Sequence, residues 1–407
     1  MKNKKTTIIG VIIGITIIIS IIFITRTKIE LTDIEKEMRE LQSIKVVEKT
    51  NEINFGTFES TNNDETALLI RNDIVATIRD TAITKSKGKA TNTEKSTKVG
   101  LNSAVVVTFD STAKLIRSKI ITEKDNQHAI YTGGRKSAAI LTDTTIETYG
   151  KNSSGLVTSN SGLIDATNII LTTKVKESPS IETVDEKSII NVKKSNIETN
   201  GSDSPVFKNY GELTLDNTTG TSYGANIGII KNGIVNISNS TMLASGASNN
   251  KNLNHNGIYI NSKNSELNIT NSSLNINSKL PYYNTATMFI IEDSKTTINF
   301  DNTQINFGSQ NLLKSKNSEI TINCKNQKLE GNIELDSKTK LTIDLKDKST
   351  YTGKINNNSN TSIIISKDSK LVLKSNTHIK ELINEDKSNS NIALNGYKLY
   401  INNKELK

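Results

Sequence analysis

Three histidines, one cysteine and a few carboxylates that recur at matching points of a repeat are the residues here whose types could do chemistry. His128 sits in a bend, His255 in an Asn-rich stretch and His378 near the end, without the mutual spacing a metal site needs. No Ser/His/Asp order suggests an activated nucleophile. Enzymes that cleave acidic polysaccharides need clustered carboxylates and a cation for the developing charge. Asp80 and Asp143 occupy equivalent points of the repeat, but Arg117 falls between them, and Asp347 and Asp368 stand beside Lys348 and Lys367. Gly133-Gly134 is an isolated turn rather than a phosphate loop. Cys324, the single cysteine, excludes an internal disulfide; in phase with Ile320 and Ile322, it reads as a small core residue. No catalytic, cofactor-binding or metal-ligating residue is assigned, no cofactor is expected, and the expectation is a protein that is not an enzyme.

The elements that would position these residues begin with an apolar one. Lys2, Lys4 and Lys5 precede Thr6–Thr25, 20 residues without a charge, about the length of a membrane-crossing helix. The run exceeds the apolar part of a typical secretory signal, and no small-x-small site follows it. Residues 1–28 are therefore expected to be a membrane anchor, single-pass, with the N-terminus cytoplasmic by the positive-inside rule. The alternative is a cleaved signal and a secreted product. Residues 29–50 place Leu31, Ile34, Met38, Leu41 and Ile44 at spacings of three and four, which predicts an amphipathic stalk or cap helix.

From residue 51 to the end, helical periodicity gives way to a repeat. In Ser265–Leu274 apolar Leu267 and Ile269 alternate with polar residues, Asn271-Ser272 turns the chain, and Leu274 and Ile276 alternate again. That predicts strand, corner, strand. Positions equivalent to Ser272 are Thr81, Ser118, Thr144, Thr167, Ser195, Thr218, Ser240, Thr303, Gln327, Lys348 and Ser369, as close as the 21 residues from Gln327 to Lys348. Asp or Asn precedes most of them, including Asn217, Asn239, Asn271 and Asn302 in succession, where left-handed backbone and a stacked amide ladder are expected. A second phrase precedes each corner, in Asn102-Ser-Ala-Val-Val-Val, Ser153-Ser-Gly-Leu-Val-Thr and Asn256-Gly-Ile-Tyr-Ile among others, and reads as the opposing strand.

One such coil cannot bury its own apolar side, whereas stacked coils about 4.8 Å apart can. The expectation is all-β: a single-stranded right-handed parallel β-helix of about 12 coils, roughly 58 Å long. Aromatic content of 4% with no Trp fits thin coils better than several conventional cores. The net charge of +9 lies largely in residues 1–28 and in Lys85–Lys98, and no basic groove interleaved with aromatics is visible, so nucleic acid is not an expected partner. Lys85–Lys98 reads as a mobile solvated loop, with contact to an anionic wall polymer as the functional alternative. Loops 244–257 and 279–285 are further insertions, the latter with Tyr282-Tyr283, which could stack on sugars but more simply packs on the fold.

In phrase order the chain resembles clostridial-type surface proteins with a right-handed parallel β-helix, a family described as adhesin-like or pectate-lyase-like. The matching pieces include Asp64-Glu-Thr-Ala-Leu, Gly100-Leu-Asn-Ser-Ala-Val, Thr199-Asn-Gly-Ser-Asp-Ser-Pro, Thr287-Met-Phe, Ile305-Asn-Phe-Gly-Ser, Ser349-Thr-Tyr-Thr-Gly and Asn395-Gly-Tyr-Lys-Leu-Tyr-Ile-Asn, over about residues 64–404. This chain has more Lys and Asn and fewer Gly than that pattern. The resemblance implies the fold and a surface location, with no catalytic residues to carry over. The expected function is thus a membrane-anchored extracellular scaffold for adhesion or envelope interaction, touching the membrane through residues 6–25 and a cell-wall polymer or glycan elsewhere. The alternatives are a polysaccharide lyase or hydrolase, or a carbohydrate-binding module without catalysis.

Overall fold

The computed structural model describes residues 32–246, 256–356 and 360–406. The expected span at 6–25 lies outside them, as does His255. Among the described residues no helix is long and apolar enough to cross a membrane. The first compact unit ends at Arg39 and the second runs from Glu40 to Lys407. In the first, α1 (Asp33–Arg39) is, among the described residues, the only helical part of the stretch expected to be helical over 29–50. Gln42–Val47 is instead a strand pairing in parallel with Glu65–Ile70, a ladder that buries Val47 while Ile44 and Val46 stay exposed.

The second unit is nearly all β. Three long sheets of 12, 14 and 10 strands take every third strand of the chain, the 14-stranded one with a single shorter step near its end, and their neighbours pair in parallel. Each circuit thus gives one strand to each sheet before the next circuit stacks on it, an arrangement that fits a parallel β-helix. In one circuit Asn256–Ile260 joins the first sheet, Ser265–Thr270 the second and Ser273–Ile276 the third. The strand–corner–strand expected at Asn271-Ser272 is present, and the second phrase falls on the first sheet. A four-stranded parallel sheet starts at Lys328–Glu330, and in a further three-stranded sheet Leu399–Ile401 pairs antiparallel with Lys404–Glu405.

Alternation decides the interior. Leu213, Val235, Leu267, Ile298, Ile322, Ile343 and Ile363 stack in register, and Ile269, Phe300, Cys324 and Leu345 form the neighbouring column. All are buried, each large aliphatic contributing about 1.5–3 kcal/mol. Cys324 is therefore a core residue, as its phase indicated.

The corners explain the hydroxyls. Asp80, Arg117, Asp143, Asn168, Lys194, Asn217, Asn239, Asn271, Asn302 and Asn326 all hold left-handed backbone, with φ between 46° and 55°. The following residue's amide has left the sheet ladder, and the hydroxyl of the next circuit accepts it: Thr218 N to Ser240 Oγ at 3.0 Å and Ser240 N to Ser272 Oγ at 3.1 Å. Ser272 Oγ in turn donates to Thr270 O at 2.7 Å. Similar hydroxyl spines run through Ser153, Ser178 and Ser204 and through Ser262, Ser294 and Ser318 at the other corners. Two expected corner positions shift. Ile169, not Thr167, follows the left-handed residue and donates to Ser195 Oγ, and Ser349, not Lys348, serves Gln327.

The largest departure is the Lys-rich insertion. Thr93–Val99 is a helix, α2, capped by the Asn92 side chain, which accepts from the amides of Glu94 and Lys95, and ended by left-handed Gly100. Ser96 and Val99 are buried, and Ser96 Oγ donates to Asn126 O at 2.7 Å. Lys85 is buried as well, with its ammonium donating to Ser60 Oγ at 3.0 Å and to Asn62 O. Taking Lys85 out of water drags its pKa down to about 8, although Glu65 and Asp64 oppose this.

Candidate functional site

The structure separates the residues whose types suggested chemistry. His128 is buried: Ser154 N donates to its Nδ1 at 3.0 Å, and Nε2 lies 3.3 Å from Thr97 Oγ1. His378 stacks on Tyr400 with ring centres 4.3 Å apart. Arg117 clamps Asp80 through two bonds of 2.8 and 2.7 Å, while Asp143 accepts from Asn168 Nδ2 at 2.5 Å. Both aspartates are left-handed corner residues, which accounts for their alignment. Asp347 is likewise left-handed, and Asp368 accepts from Ser366 Oγ at 2.7 Å. Tyr282 and Tyr283 pack against the core. Burial, aided by Asp344, pushes the Cys324 thiol up to about 12. Among the described residues no group of three or more His, Cys, Asp or Glu is placed to hold a metal ion.

What the fold does assemble is a polar cleft on the outer face of the second sheet. Its strands direct alternate side chains outward, so Asn236, Asn268, Asn299 and Asn323 come into register, followed by Asp344. Each amide donates back by one circuit: Asn268 Nδ2 to Asn236 Oδ1 at 2.8 Å, Asn299 to Asn268 at 2.6 Å and Asn323 to Asn299 at 2.7 Å. The dipoles therefore point one way, as they do in stacked amide ladders. Two positions along the strands a second column holds Thr270, Asp301, Lys325 and Lys346.

Between the columns lies a cleft of about 410 Å³. Lys325 pairs with Asp301 at 3.5 Å, and Lys346 with Asp344 Oδ2 at 2.6 Å. Asp344 Oδ1 is buried without a hydrogen-bond partner. Side-chain amides that both donate and accept suit the hydroxyl or amide groups of a ligand.

This ladder differs from the corner ladder expected at Asn217, Asn239, Asn271 and Asn302. There only the Asn302–Asn271 step links neighbouring asparagines directly; Asn239 donates to Asp216 instead. The overlooked signal is an Asn-x-x-Asn spacing, in Asn236/Asn239, Asn268/Asn271, Asn299/Asn302 and Asn323/Asn326. In each pair the second member makes the corner and the first faces outward.

A second polar group lies on the outer face of the first sheet. Glu182 is almost wholly buried, accepting from Lys208 Nζ at 2.8 Å and from Ser154 Oγ at 3.0 Å. Burial alone would raise its carboxyl pKa, but Lys208, His128 and Ser154 together outweigh it and hold the group below the usual glutamate value. The same pairing raises Lys208. Nearby, Tyr131 Oη donates to Lys98 O at 2.5 Å, and Ser159 Oγ reaches the same carbonyl at 2.8 Å, so the end of α2 is tied to this face.

No protein-family model matches this chain, and no curated protein sequence matches it.

Proposed function

We propose that the chain is a membrane-anchored, surface-displayed right-handed parallel β-helix of 12 or so coils that binds an envelope or cell-wall glycan without transforming it. The apolar segment at 6–25 would hold it to the membrane with the β-helix outside. The observation that carries the reading is the asparagine ladder beside its cleft. Its amides repeat at the circuit spacing, and the charged groups beside them are paired as Lys325–Asp301 and Lys346–Asp344 rather than arranged as a free acid and base. The resemblance to clostridial-type surface proteins supports the location.

Full-length chain in detergent, screened against a glycan array, should retain a set of neutral or acidic glycans. Asn299→Leu, which removes the middle rung, should lose at least tenfold in affinity. Cleavage of any retained glycan, or binding indifferent to Asn299→Leu, would overturn the reading. On intact cells, external protease should reach the β-helix; full protection would remove the surface location.

A further inference from the structure

The outer face of the first sheet carries a cation that the protein itself leaves undersatisfied. Lys208, Ile229, Tyr259 and Ile290 follow one another in register along one column, and Tyr210, Lys231, Asn261 and Glu292 each lie two residues further along the same four stretches. Lys208 is matched by Glu182 at 2.8 Å and lies 5.7 Å from the centre of the Tyr210 ring. Lys231 is not so matched. Its ammonium sits over the Tyr259 ring, 5.2 Å from the centre, and reaches Asn261 Oδ1 only at 3.5 Å, the outer limit of a hydrogen bond.

The nearest carboxylate is committed elsewhere. Glu292 accepts from Tyr259 Oη at 3.1 Å and faces Lys316 across the next register step. Lys231 thus has three donors, one long contact and a second ammonium close by. Burial, and then Lys208, push its pKa down, although Glu292 opposes this. Tyr259 is buried and its hydroxyl pKa is pushed up to about 12, so it stays a neutral donor beside the Lys231 ammonium.

We propose that Lys231 and Lys208, flanked by Tyr210 and Tyr259, form an anion subsite that takes a phosphate or carboxylate group. The anion would accept from the Lys231 ammonium and share the field of Lys208, while Glu182 stays paired behind it. Phosphate and carboxylate present the same oxygen acceptors, and wall polymers or acidic sugars could each supply one. The subsite is on a different sheet from the asparagine cleft and stands or falls without it.

The test uses full-length chain in detergent, titrated at constant ionic strength with inorganic phosphate in one arm and glucuronate in another. Binding should saturate in at least one arm and define the source by which arm is tighter. Lys231→Met should weaken it at least tenfold, and Lys231→Arg should retain it. The side-chain NMR signal of Lys231 should titrate at higher pH once the anion is bound. Lys231→Met should leave the melting temperature unchanged or raised, because an underpartnered ammonium is removed. Absence of saturation in both arms, unchanged affinity in Lys231→Met, or a melting temperature lowered by that substitution would each overturn the proposal.

Discussion

Asn302 Nδ2 donates to Asn271 Oδ1 across 2.9 Å, one circuit apart, and both residues hold left-handed backbone with φ of 49° and 48°. The amide bond is at the surface and the backbone conformation is not optional, so the two contributions can be told apart. Asn271→Leu should destabilise by about 1–2 kcal/mol, the cost of a left-handed non-glycine residue that lacks a compensating side chain. Asn271→Gly, which keeps the conformation and drops the amide, should cost much less. Denaturant midpoints of the two variants decide it; equal midpoints would mean that the backbone angle is not the controlling factor.

Gly100 ends α2 at φ +77°, where a Cβ would fall 2.4 Å from the Tyr131 ring. Gly100→Ala should therefore displace the helix end from Tyr131 and Ser159. The expected readout is faster proteolytic nicking within 86–98, with little change in far-ultraviolet dichroism because the sheets do not depend on α2. Unchanged nicking would show that the insertion is held by its other contacts.

His128 makes stability depend on pH. Burial is the main reason its pKa falls from 6.5 to about 4, with Glu182 opposing and Lys208 assisting. Between those values the unfolded chain takes up a proton that the folded chain refuses, so stability falls as pH drops from 6.5 towards 4. The loss is up to about 3 kcal/mol. His128→Asn should flatten that window. Glu182, whose pKa is lowered, adds its own loss only at more acid pH, as the medium passes below the usual glutamate range. Urea midpoints measured from pH 7 to 4 in both proteins check the slope.

Cys324 should be inert in the native state. Its side chain is buried in the Phe300–Leu345 column and its thiol is held well above the usual range. Iodoacetamide at pH 8 is expected to label it only on unfolding, so the labelling rate should track denaturant concentration. Rapid labelling without denaturant would mean that the column opens locally.

How much of this was legible in the sequence varied with the physics involved. Alternation at Leu267, Ile269, Leu274 and Ile276 fixes which side of a strand is buried, and the corners follow because left-handed backbone restricts residue choice. The same logic failed at Lys348 and Thr167, where an extra left-handed residue or a hydroxyl-free Ile169 breaks the spelling of the corner but not its geometry. Residues 85–98 were hard to read because helix α2 uses Ser96 as a buried residue; only Asn92, Glu94 and Gly100 marked its ends. The cleft depended on which circuits lie in register, and insertions of unequal length conceal that. Glu182 and Lys208 are 26 residues apart in the chain, and only the sheet sets them side by side.

The hydroxyl spines give the stack a direction of weakness. Bonds between circuits, whether strand to strand or Ser240 N to Ser272 Oγ, run along the stacking axis, so tension along that axis passes in series through every interface and the weakest one would part first. A circuit such as Thr218 to Ser240 spans 22 residues and would release roughly 70 Å of chain when it lets go. Under load such a protein behaves as a spool: it yields in steps, dissipates work at each, and can rewind onto the circuits still standing.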